Sequence, residues 1–360
     1  MTVAPHRLAP RRYAALALAL SGCTGGSATL KDDTVAESVA TADDSAAADD
    51  STGGESGGPD SRADSGGDDS AADSGDSGDS GEVSPWAAAC TSYASPTQTG
   101  LVVDETLDEL SGLAVSRRDP DVLWVQEDHL GEPAIYALNT LGDTLATVTL
   151  EDATNNDWED MAIGPCGDDW CVFLGEIGNN DADRTELGVY AFVEPDLATA
   201  VDGAITVTDW TWYGMSYPDE NQNAEALAVT AEGLPVVLTK RYEDERSNVY
   251  IYPSLDAILP VTLTALGTLV TGADEEGPAA ALTAADLWHD NSRLIYRTYG
   301  GVTEVDGSGG LDTLSTAIET EVAGAPEMHG EAIAYDPWRG GFWQVSEGVT
   351  PAIWFVGCGG

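Results

Sequence analysis

Short apolar runs alternate with turn-forming segments along the chain from Trp86 to its end. The runs are four to eight residues long and rich in Val, Ile, Leu, Trp and Tyr, and they are bounded by Gly, Asp, Asn and Pro. Runs of this length and composition are typical of β-strands separated by tight connections. The pattern therefore predicts an all-β domain over residues 86–360.

One short phrase recurs five times within this domain. Its anchor residues are separated by steps of 48, 66, 60 and 46 residues. Repeats of roughly 50 residues that consist of strands are typical of β-propeller blades. The anchors are Leu113, Met161, Leu227, Leu287 and Ile333.

The fifth repeat is shorter than the others. Each of the first four can be divided into four strands, with the fourth strand of the second repeat at 205–213 and that of the third at 263–270. The fifth holds only three strands before the chain ends, whereas an additional strand at 97–103 precedes the first repeat. Adding that strand to the last blade closes the ring and covers its edge. We predict a single propeller of five four-stranded blades; six blades, or a pair of β-sandwiches, are the alternatives.

The cysteines fit this closure. Cys166 and Cys171 flank the turn Gly167-Asp168-Asp169, and Cys90 and Cys358 lie beside the two segments that are expected to meet. Disulfides form in the oxidising space outside the cytoplasm. We therefore predict the disulfides Cys166–Cys171 and Cys90–Cys358.

The amino terminus reads as an export signal. Three arginines precede an apolar run at 14–20, which is too short to span a bilayer and fits the core of a cleaved signal peptide. The sequence Leu20-Ser21-Gly22-Cys23 then resembles the lipobox of bacterial lipoproteins. That resemblance implies a signal peptide at 1–22 and a lipid on Cys23, which would anchor the protein to a membrane. The alternative is a secretory signal without lipid that is cut near Gly22.

Residues 23–85 contain few large apolar side chains. From 31 to 85 the chain is almost entirely Asp, Ser, Gly, Ala and Glu. Such a segment cannot bury enough apolar surface to offset its conformational entropy, and its like charges repel each other. We predict a disordered acidic tether between the lipid anchor and the propeller.

The whole chain carries 63 acidic and 14 basic side chains, a net charge of −49. A polyanion of this density repels nucleic-acid phosphates, so we expect no nucleic-acid partner. We expect a monomer in the cell envelope, outside the cytoplasm. Thr24 after the lipidated cysteine resembles the sorting pattern for the outer membrane, where the cell has one.

Acidic residues recur at one place in the repeats. In a propeller the start of each innermost strand lies on the same face as the loop after the second strand, so both sets are expected at one channel mouth. A ring of carboxylates attracts a hard divalent cation, calcium first, and basic side chains beside it suit an anionic or polyhydroxyl ligand. The alternative is that these side chains hold neighbouring blades together. The predicted metal ligands are Glu159, Glu225, Asp286 and Glu331. The predicted ligand-binding residues are Asp128, His129, Glu176, Lys240, Arg241, Arg297 and Glu347.

Several phrases over residues 100–356 resemble the esterase-like phytase group of secreted bacterial propellers. They are Glu109-Leu110-Ser111-Gly112-Leu113-Ala114, Asp157-Trp158-Glu159-Asp160-Met161-Ala162, Gly330-Glu331-Ala332-Ile333-Ala334 and Ser346-Glu347-Gly348. The resemblance implies a propeller that uses mouth carboxylates and a divalent ion to hydrolyse phosphate esters or lactones. By the same resemblance, Lys240, Arg241 and Arg297 would contact a phosphate or oxyanion.

Two functions follow from these expectations. The first is a tethered propeller whose calcium-containing mouth binds a glycan, a peptide or a small molecule. The second is a metal-dependent hydrolase in which the cation lowers the pKa of a bound water and a carboxylate takes its proton. The sequence contains no nucleophile motif, which favours the first.

Overall fold

The computed structural model describes residues 86–128, 131–242, 245–271, 277–327 and 329–360. In this part of the chain, 22 strands form five sheets that are arranged as the blades of a β-propeller. The predicted signal peptide, Cys23, the tether and His129 lie outside the described residues. No helix in the described part is long and apolar enough to cross a bilayer.

The five blades follow one another along the chain. The strand that precedes them is β1 (Thr97–Leu101). Blade 1 consists of β2 (Leu110–Val115), β3 (Val122–Glu127), β4 (Ala134–Asn139) and β5 (Thr144–Leu150). Blade 2 consists of β6 (Trp158–Cys166), β7 (Asp169–Glu176), β8 (Leu187–Val193) and β10 (Thr211–Ser216), and β9 (Ala204–Val207) lies between the last two in sequence. Blade 3 consists of β11 (Ala224–Val229), β12 (Pro235–Thr239), β13 (Arg246–Ile251) and β15 (Thr264–Val270), preceded by β14 (Val261–Thr262). Blade 4 consists of β16 (Leu282–Leu287), β17 (Arg293–Thr298), β18 (Val302–Asp306) and β19 (Glu319–Val322). Blade 5 consists of β20 (Gly330–Tyr335), β21 (Phe342–Ser346), β22 (Ala352–Val356) and β1.

The ring closes as the sequence predicts. Strand β1 pairs antiparallel with β22, with Thr97 opposite Phe355 and Leu101 opposite Ala352. The disulfide Cys90–Cys358 joins the segments beside this pair. The second predicted disulfide, Cys166–Cys171, closes the β6–β7 turn. The five-blade prediction, the closing strand and both disulfides are therefore confirmed.

The apolar core consists of layers between neighbouring blades. Trp124 and Phe192 belong to the layer between blades 1 and 2, and Trp343 and Leu123 to the layer between blades 5 and 1. Every residue of the innermost strands β2, β11 and β20 is buried. Sheets that pack face to face around a ring bury both faces of each blade, which explains why these strands consist of small or apolar residues apart from Glu225 and Glu331.

The chain before a blade's fourth strand reaches back to the preceding blade. Strand β9 pairs in parallel with β5 of blade 1, and β14 pairs in parallel with β10 of blade 2. In blade 4 the 3₁₀ helix Leu311–Thr316 takes this place, and Ser315 lies against Gly267 of β15. The prediction of one strand at 205–213 is therefore wrong, because its first half belongs to blade 1.

Each innermost strand contains a β-bulge at the same place. The register shifts between Leu110 and Gly112, Trp158 and Met161, Ala224 and Ala226, Leu282 and Ala284, and Gly330 and Ala332. A bulge leaves its extra residue outside the ladder and re-aims its side chain. The bulged residues are Ser111, Glu159, Glu225, Thr283 and Glu331.

In the fourth repeat, the bulge lies two residues away from where the predicted anchor Leu287 would put it. After the bulge in blade 3, Leu227 pairs with Val237 of the second strand. The corresponding residue in blade 4 is Ala285, which pairs with Tyr296, and not Leu287. Asp286 therefore lies three residues beyond the bulge.

Trp86 lies at the end of the ring axis opposite the bulges. Its ring packs against Trp338 at 4.7 Å and Trp170 at 5.8 Å between centroids, and it lies 6.0 Å from the Arg117 guanidinium carbon. These neighbours come from turns after the innermost strands, or from the start of a second strand. The amino-terminal segment of the described domain therefore meets the ring on the face away from the bulged residues.

Candidate functional site

The bulged residues line one end of the ring together with the residues that follow each second strand. In every blade a backbone N–H after the second strand donates to the carbonyl oxygen two residues before the bulge. The five bonds are Asp128 to Glu109, Gly178 to Asp157, Lys240 to Asn223, Tyr299 to Ala281 and Glu347 to His329. One repeated backbone pattern therefore places ten side-chain positions around one opening, which we call the mouth.

Hydroxyl side chains at two of the bulges join neighbouring blades. The Ser111 hydroxyl donates to the carbonyl oxygen of Glu159 in blade 2, and the Thr283 hydroxyl donates to that of Gly330 in blade 5 at 2.7 Å. The other three bulges carry glutamates that are 5% exposed or less. Two blades thus use the bulge to hold the ring together, and three use it to bring a carboxylate into the mouth.

One half of the mouth is neutralised by a lysine. The Lys240 ammonium lies 3.0 Å from a Glu225 carboxylate oxygen and donates to the Tyr299 hydroxyl at 3.0 Å. Tyr299 in turn donates to Glu331 at 2.5 Å. Burial lowers the pKa of Lys240, but the charges of Glu225 and Glu331 outweigh it and raise the pKa above its ordinary value. Blades 3, 4 and 5 are therefore linked by one buried hydrogen-bonded chain, which we call the lysine chain.

The other half concentrates negative charge. Asp128, Asp157 and Glu159 each place a carboxylate oxygen within 4.8 Å of the others. Burial raises the pKa of Glu159 well above its ordinary value, and the charges of Glu225, Asp128 and Asp157 raise it further. Calcium ligands lie about 2.3–2.6 Å from the ion, so an ion between these three oxygens is within reach of all of them after small movements. We call these residues the carboxylate triad.

Gly178 makes room for the triad. Four blades carry a side chain at the position after the second strand, and blade 2 carries this glycine. A Cβ atom at Gly178 would overlap a Glu159 carboxylate oxygen and lie 2.5 Å from the Asp157 Cγ. The absent side chain is therefore what allows the two carboxylates to converge.

Arg184 balances part of the charge on blade 2. Its guanidinium lies 3.3 Å from an Asp157 oxygen, and it is ion-paired with Glu176, which also accepts from the Asn156 N–H at 3.0 Å. Burial raises the pKa of Glu176, and the bonds from Asn156 and Arg184 oppose that rise. Glu176 is 1% exposed, so the structure places it behind the mouth as a support for Arg184.

Glu347 completes the acidic rim. Burial raises its pKa, and the charge of Asp128 raises it further, whereas His329 and Lys240 lower it. Glu347 follows the second strand of blade 5, and that blade contacts blade 1, which carries Asp128, and blade 4, which carries Tyr299. Six of the predicted site residues are therefore brought to the mouth: Asp128, Glu159, Glu225, Lys240, Glu331 and Glu347.

Three other predicted residues have different surroundings. Asp286 accepts from the Tyr335 N–H at 2.9 Å, and burial raises its pKa to about 6 while Arg117 opposes the rise. Arg297 is 3% exposed and ion-paired with Glu327 at 2.9 Å. Arg241 lies near the Tyr250 phenol. The first two hold neighbouring blades together, which was the alternative to a ligand role.

Sequence reasoning did not assign Tyr299, Asp157 or Arg184 to the site. Tyr299 directly follows a second strand, as Lys240 and Glu347 do, so the repeat itself carries the signal. Asp157 lies two residues before a bulge that cannot be seen in the sequence. Arg184 reaches the mouth from the β7–β8 connection, where no repeat marks it.

The geometry describes an acidic mouth with a neutralised half and a half that can hold a cation. The resemblance to the esterase-like phytase group rests on the short phrases alone. No protein-family model matches the chain, and no curated protein matches it in sequence.

Proposed function

We propose that the protein is a membrane-anchored, extracytoplasmic β-propeller that holds calcium in its mouth and binds a ligand or partner there. The observation that carries the proposal is the convergence of Asp128, Asp157 and Glu159 within 4.8 Å. All three offer carboxylate oxygens, which are the donors that calcium prefers. The anchor is the lipid that the sequence predicts on Cys23.

Electrostatics support a cation at the triad. Glu159 is 2% exposed and lies beside three other acids, so ionising it without a counter-ion is unfavourable. Lys240 forms an ion pair with Glu225 and is linked to Glu331 through Tyr299. Arg184 lies beside Asp157. A divalent ion would supply the positive charge that favours ionised Glu159, and it would leave coordination sites for a ligand.

The lysine chain supplies the polar surface beside such an ion. Lys240 and Tyr299 offer a cation and a hydroxyl that hydrogen bonds hold in place, and Glu347 adds a carboxylate beside them. Fixed donors and acceptors of both signs suit a glycan, a peptide or a small polar molecule. Trp86, the first residue that the structure describes, lies at the opposite end of the axis from this surface.

A metal-dependent hydrolase for phosphate esters or lactones is the second candidate. Burial raises the pKa of Glu331 to about 7, and Lys240 and Tyr299 oppose that rise. A carboxyl group that titrates near neutrality can give and take a proton during a reaction. In this candidate the cation would activate a water molecule and Glu331 would act as the acid or base.

Calcium titration of the full chain after chelator treatment tests the first candidate. We expect one tight site by calorimetry and a calcium-dependent rise in melting temperature, because a ligand that binds the folded state stabilises it. Asp157→Asn and Glu159→Gln should each weaken binding at least tenfold. Asp168→Asn removes an exposed acid in the β6–β7 turn and should leave binding unchanged. Equal binding by all three variants would show that the carboxylate triad does not hold the calcium.

A panel of phosphate esters and lactones separates the two candidates. Calcium-dependent turnover that Glu331→Gln abolishes would favour the hydrolase. Intact calcium binding without turnover on any member of the panel would favour the binding protein.

Mass spectrometry of the mature amino terminus, with Cys23→Ser as the control, tests the anchor.

A further inference from the structure

The outer edge of blade 4 differs from those of the blades before it. Strand β5 is covered by β9, and β10 is covered by β14, each as a parallel fifth strand. Strand β19 pairs with β18 on one side only. In the described part of the chain, its other side has no backbone hydrogen-bond partner.

The free backbone groups of β19 can be identified. The Ile318 carbonyl accepts from the Asp306 N–H at 3.0 Å, so Ile318 directs its backbone groups towards β18. Backbone groups alternate between the two sides of a strand. Glu319 and Glu321 therefore direct their N–H and C=O groups away from the sheet, as a template for another strand.

A cavity of about 510 Å³ lies beside this edge. Residues of β19 form one wall, and Ser92 and Tyr93 belong to the other. That wall is fixed, because the Tyr93 hydroxyl donates to Glu304 and Tyr93 forms a β-bridge with Cys358. Both walls of the cavity therefore belong to the folded ring, and the cavity lies at the outer rim of the ring.

We propose that β19 binds an extended basic peptide of a partner protein as a parallel fifth strand of blade 4. β19 is four residues long, the length over which β9 pairs with β5. Strand addition of this kind takes affinity from backbone hydrogen bonds and specificity from alternate side chains. Strands β9 and β14 show that blades of this ring accept a parallel strand on that edge.

The negative charge at the edge of β19 indicates which kind of peptide would bind there. Glu319 and Glu321 are exposed acids on one face of this edge strand, Asp306 is an exposed acid on the other face, and Arg293 is already ion-paired with Glu304 at 2.7 Å. A peptide with Lys or Arg at alternate positions complements them. The chain's own segment 31–85 carries 16 acids and two bases, and a second copy of β19 would bring the same glutamates, so repulsion disfavours both.

A fluorescent octapeptide of alternating Lys and Val, acetylated and amidated, is the probe. We expect saturable binding to the full chain by fluorescence anisotropy at low ionic strength, and none for the matching Glu and Val peptide. Two versions N-methylated at every Lys or at every Val separate backbone pairing from charge attraction. Only one of them should lose binding, because alternate N–H groups point to opposite edges.

Two substitutions at one residue provide the matched pair on the protein. Glu321→Pro removes an outward N–H and should weaken binding at least tenfold, and an edge strand tolerates proline. Glu321→Gln keeps the N–H and should weaken binding only a few-fold. Melting curves of both variants establish that they are folded.

Three results would overturn the proposal. The first is no binding of the Lys and Val peptide, and the second is equal binding by wild type and a folded Glu321→Pro variant. The third is loss of peptide binding in Glu159→Gln with no effect of Glu321→Pro, which would place the basic peptide in the mouth. Calcium binding at the mouth is measured separately, so failure of either proposal leaves the other standing.

Discussion

The ammonium group of Lys240 lies 3.0 Å from the Glu225 carboxylate, and both side chains are more than nine-tenths buried. In this pair the positive charge of Lys240 balances one of the carboxylates of the acidic mouth. It also fixes Tyr299, which accepts from Lys240 and donates to Glu331. Three blades therefore depend on one side chain for the charge balance at their inner ends.

Replacing this cation should be costly for the fold. Lys240→Met leaves Glu225 buried without its partner, and breaking one side of a buried ion pair costs about 3–5 kcal/mol. We expect a loss of that size in the free energy of unfolding measured with urea. The double variant Lys240→Met with Glu225→Gln should recover part of it, since it removes the isolated charge. A single variant as stable as wild type would contradict the buried pair.

The raised pKa of Glu331 predicts a pH dependence of stability. The folded protein keeps the Glu331 proton up to about pH 7, whereas the unfolded chain releases it near the ordinary value of 4.5. The folded state binds more protons between these values, so stability falls as pH rises from 4.5 to 7 and then levels. The contribution of this group is at most about 3 kcal/mol.

Glu331→Gln isolates this contribution. Other buried acids titrate in the same direction, Asp286 with a pKa of about 6 among them, so the difference between the two proteins is the quantity to follow. We expect the denaturation curves of the variant to depend less on pH than those of wild type between 4.5 and 7. Parallel pH profiles would show that Glu331 ionises normally.

Gly178 should matter for the cation more than for the fold. Gly178→Ala places a methyl group against Glu159 and Asp157, so these side chains must move apart. We expect at least a tenfold loss of calcium affinity by calorimetry. Gly301→Ala is the matched control, since no atom lies within 4 Å of a Cβ there. Unchanged affinity in Gly178→Ala would show that Glu159 and Asp157 do not hold the cation together.

The two disulfides should contribute unequally to stability. Cys90 and Cys358 are 268 residues apart, whereas Cys166 and Cys171 are five apart. Loop-closure entropy then gives about 6 kcal/mol for the long loop and about 2 kcal/mol for the short one. Urea unfolding of the two double Cys→Ser variants measures the difference. A larger loss from the Cys166 and Cys171 pair would contradict the ring-closing role of the other.

The ring could be predicted from the sequence because its repeats carry a recurrent apolar phrase and its last repeat lacks a strand. Only some of the mouth residues could be predicted, because the bulges decide which side chains enter the mouth and no residue type in the sequence marks a bulge. Thr283 of blade 4 occupies the position that Glu225 has in blade 3. The sequence predicts Asp286 as the mouth carboxylate of this blade, because it is the acidic residue in the repeated phrase. A shift of two residues keeps the strand pattern and changes which side chain enters the mouth.

The positions of arginine side chains could not be predicted from the repeat either. Arg297 lies in a second strand, where its neighbours in sequence indicate a mouth position, but it is buried against Glu327. Arg184 has no repeat to mark it, yet it contacts two acids of the site. Long side chains reach several ångströms from their backbone, so their partners are set by tertiary packing that the repeat does not encode.

Pairing of β1 with β22 also sets an order of events during synthesis. The ribosome makes Thr97–Leu101 before any other strand of the domain, and its partner Ala352–Val356 is nearly the last. The first strand must therefore wait for β22 while about 250 residues are added, at roughly 5–20 residues per second. Its polar sequence, Thr-Gln-Thr-Gly-Leu, lowers the risk that it joins another chain meanwhile. A chain truncated before Ala352 would leave this strand without its partner, so even a stop codon late in the gene should prevent closure of the ring.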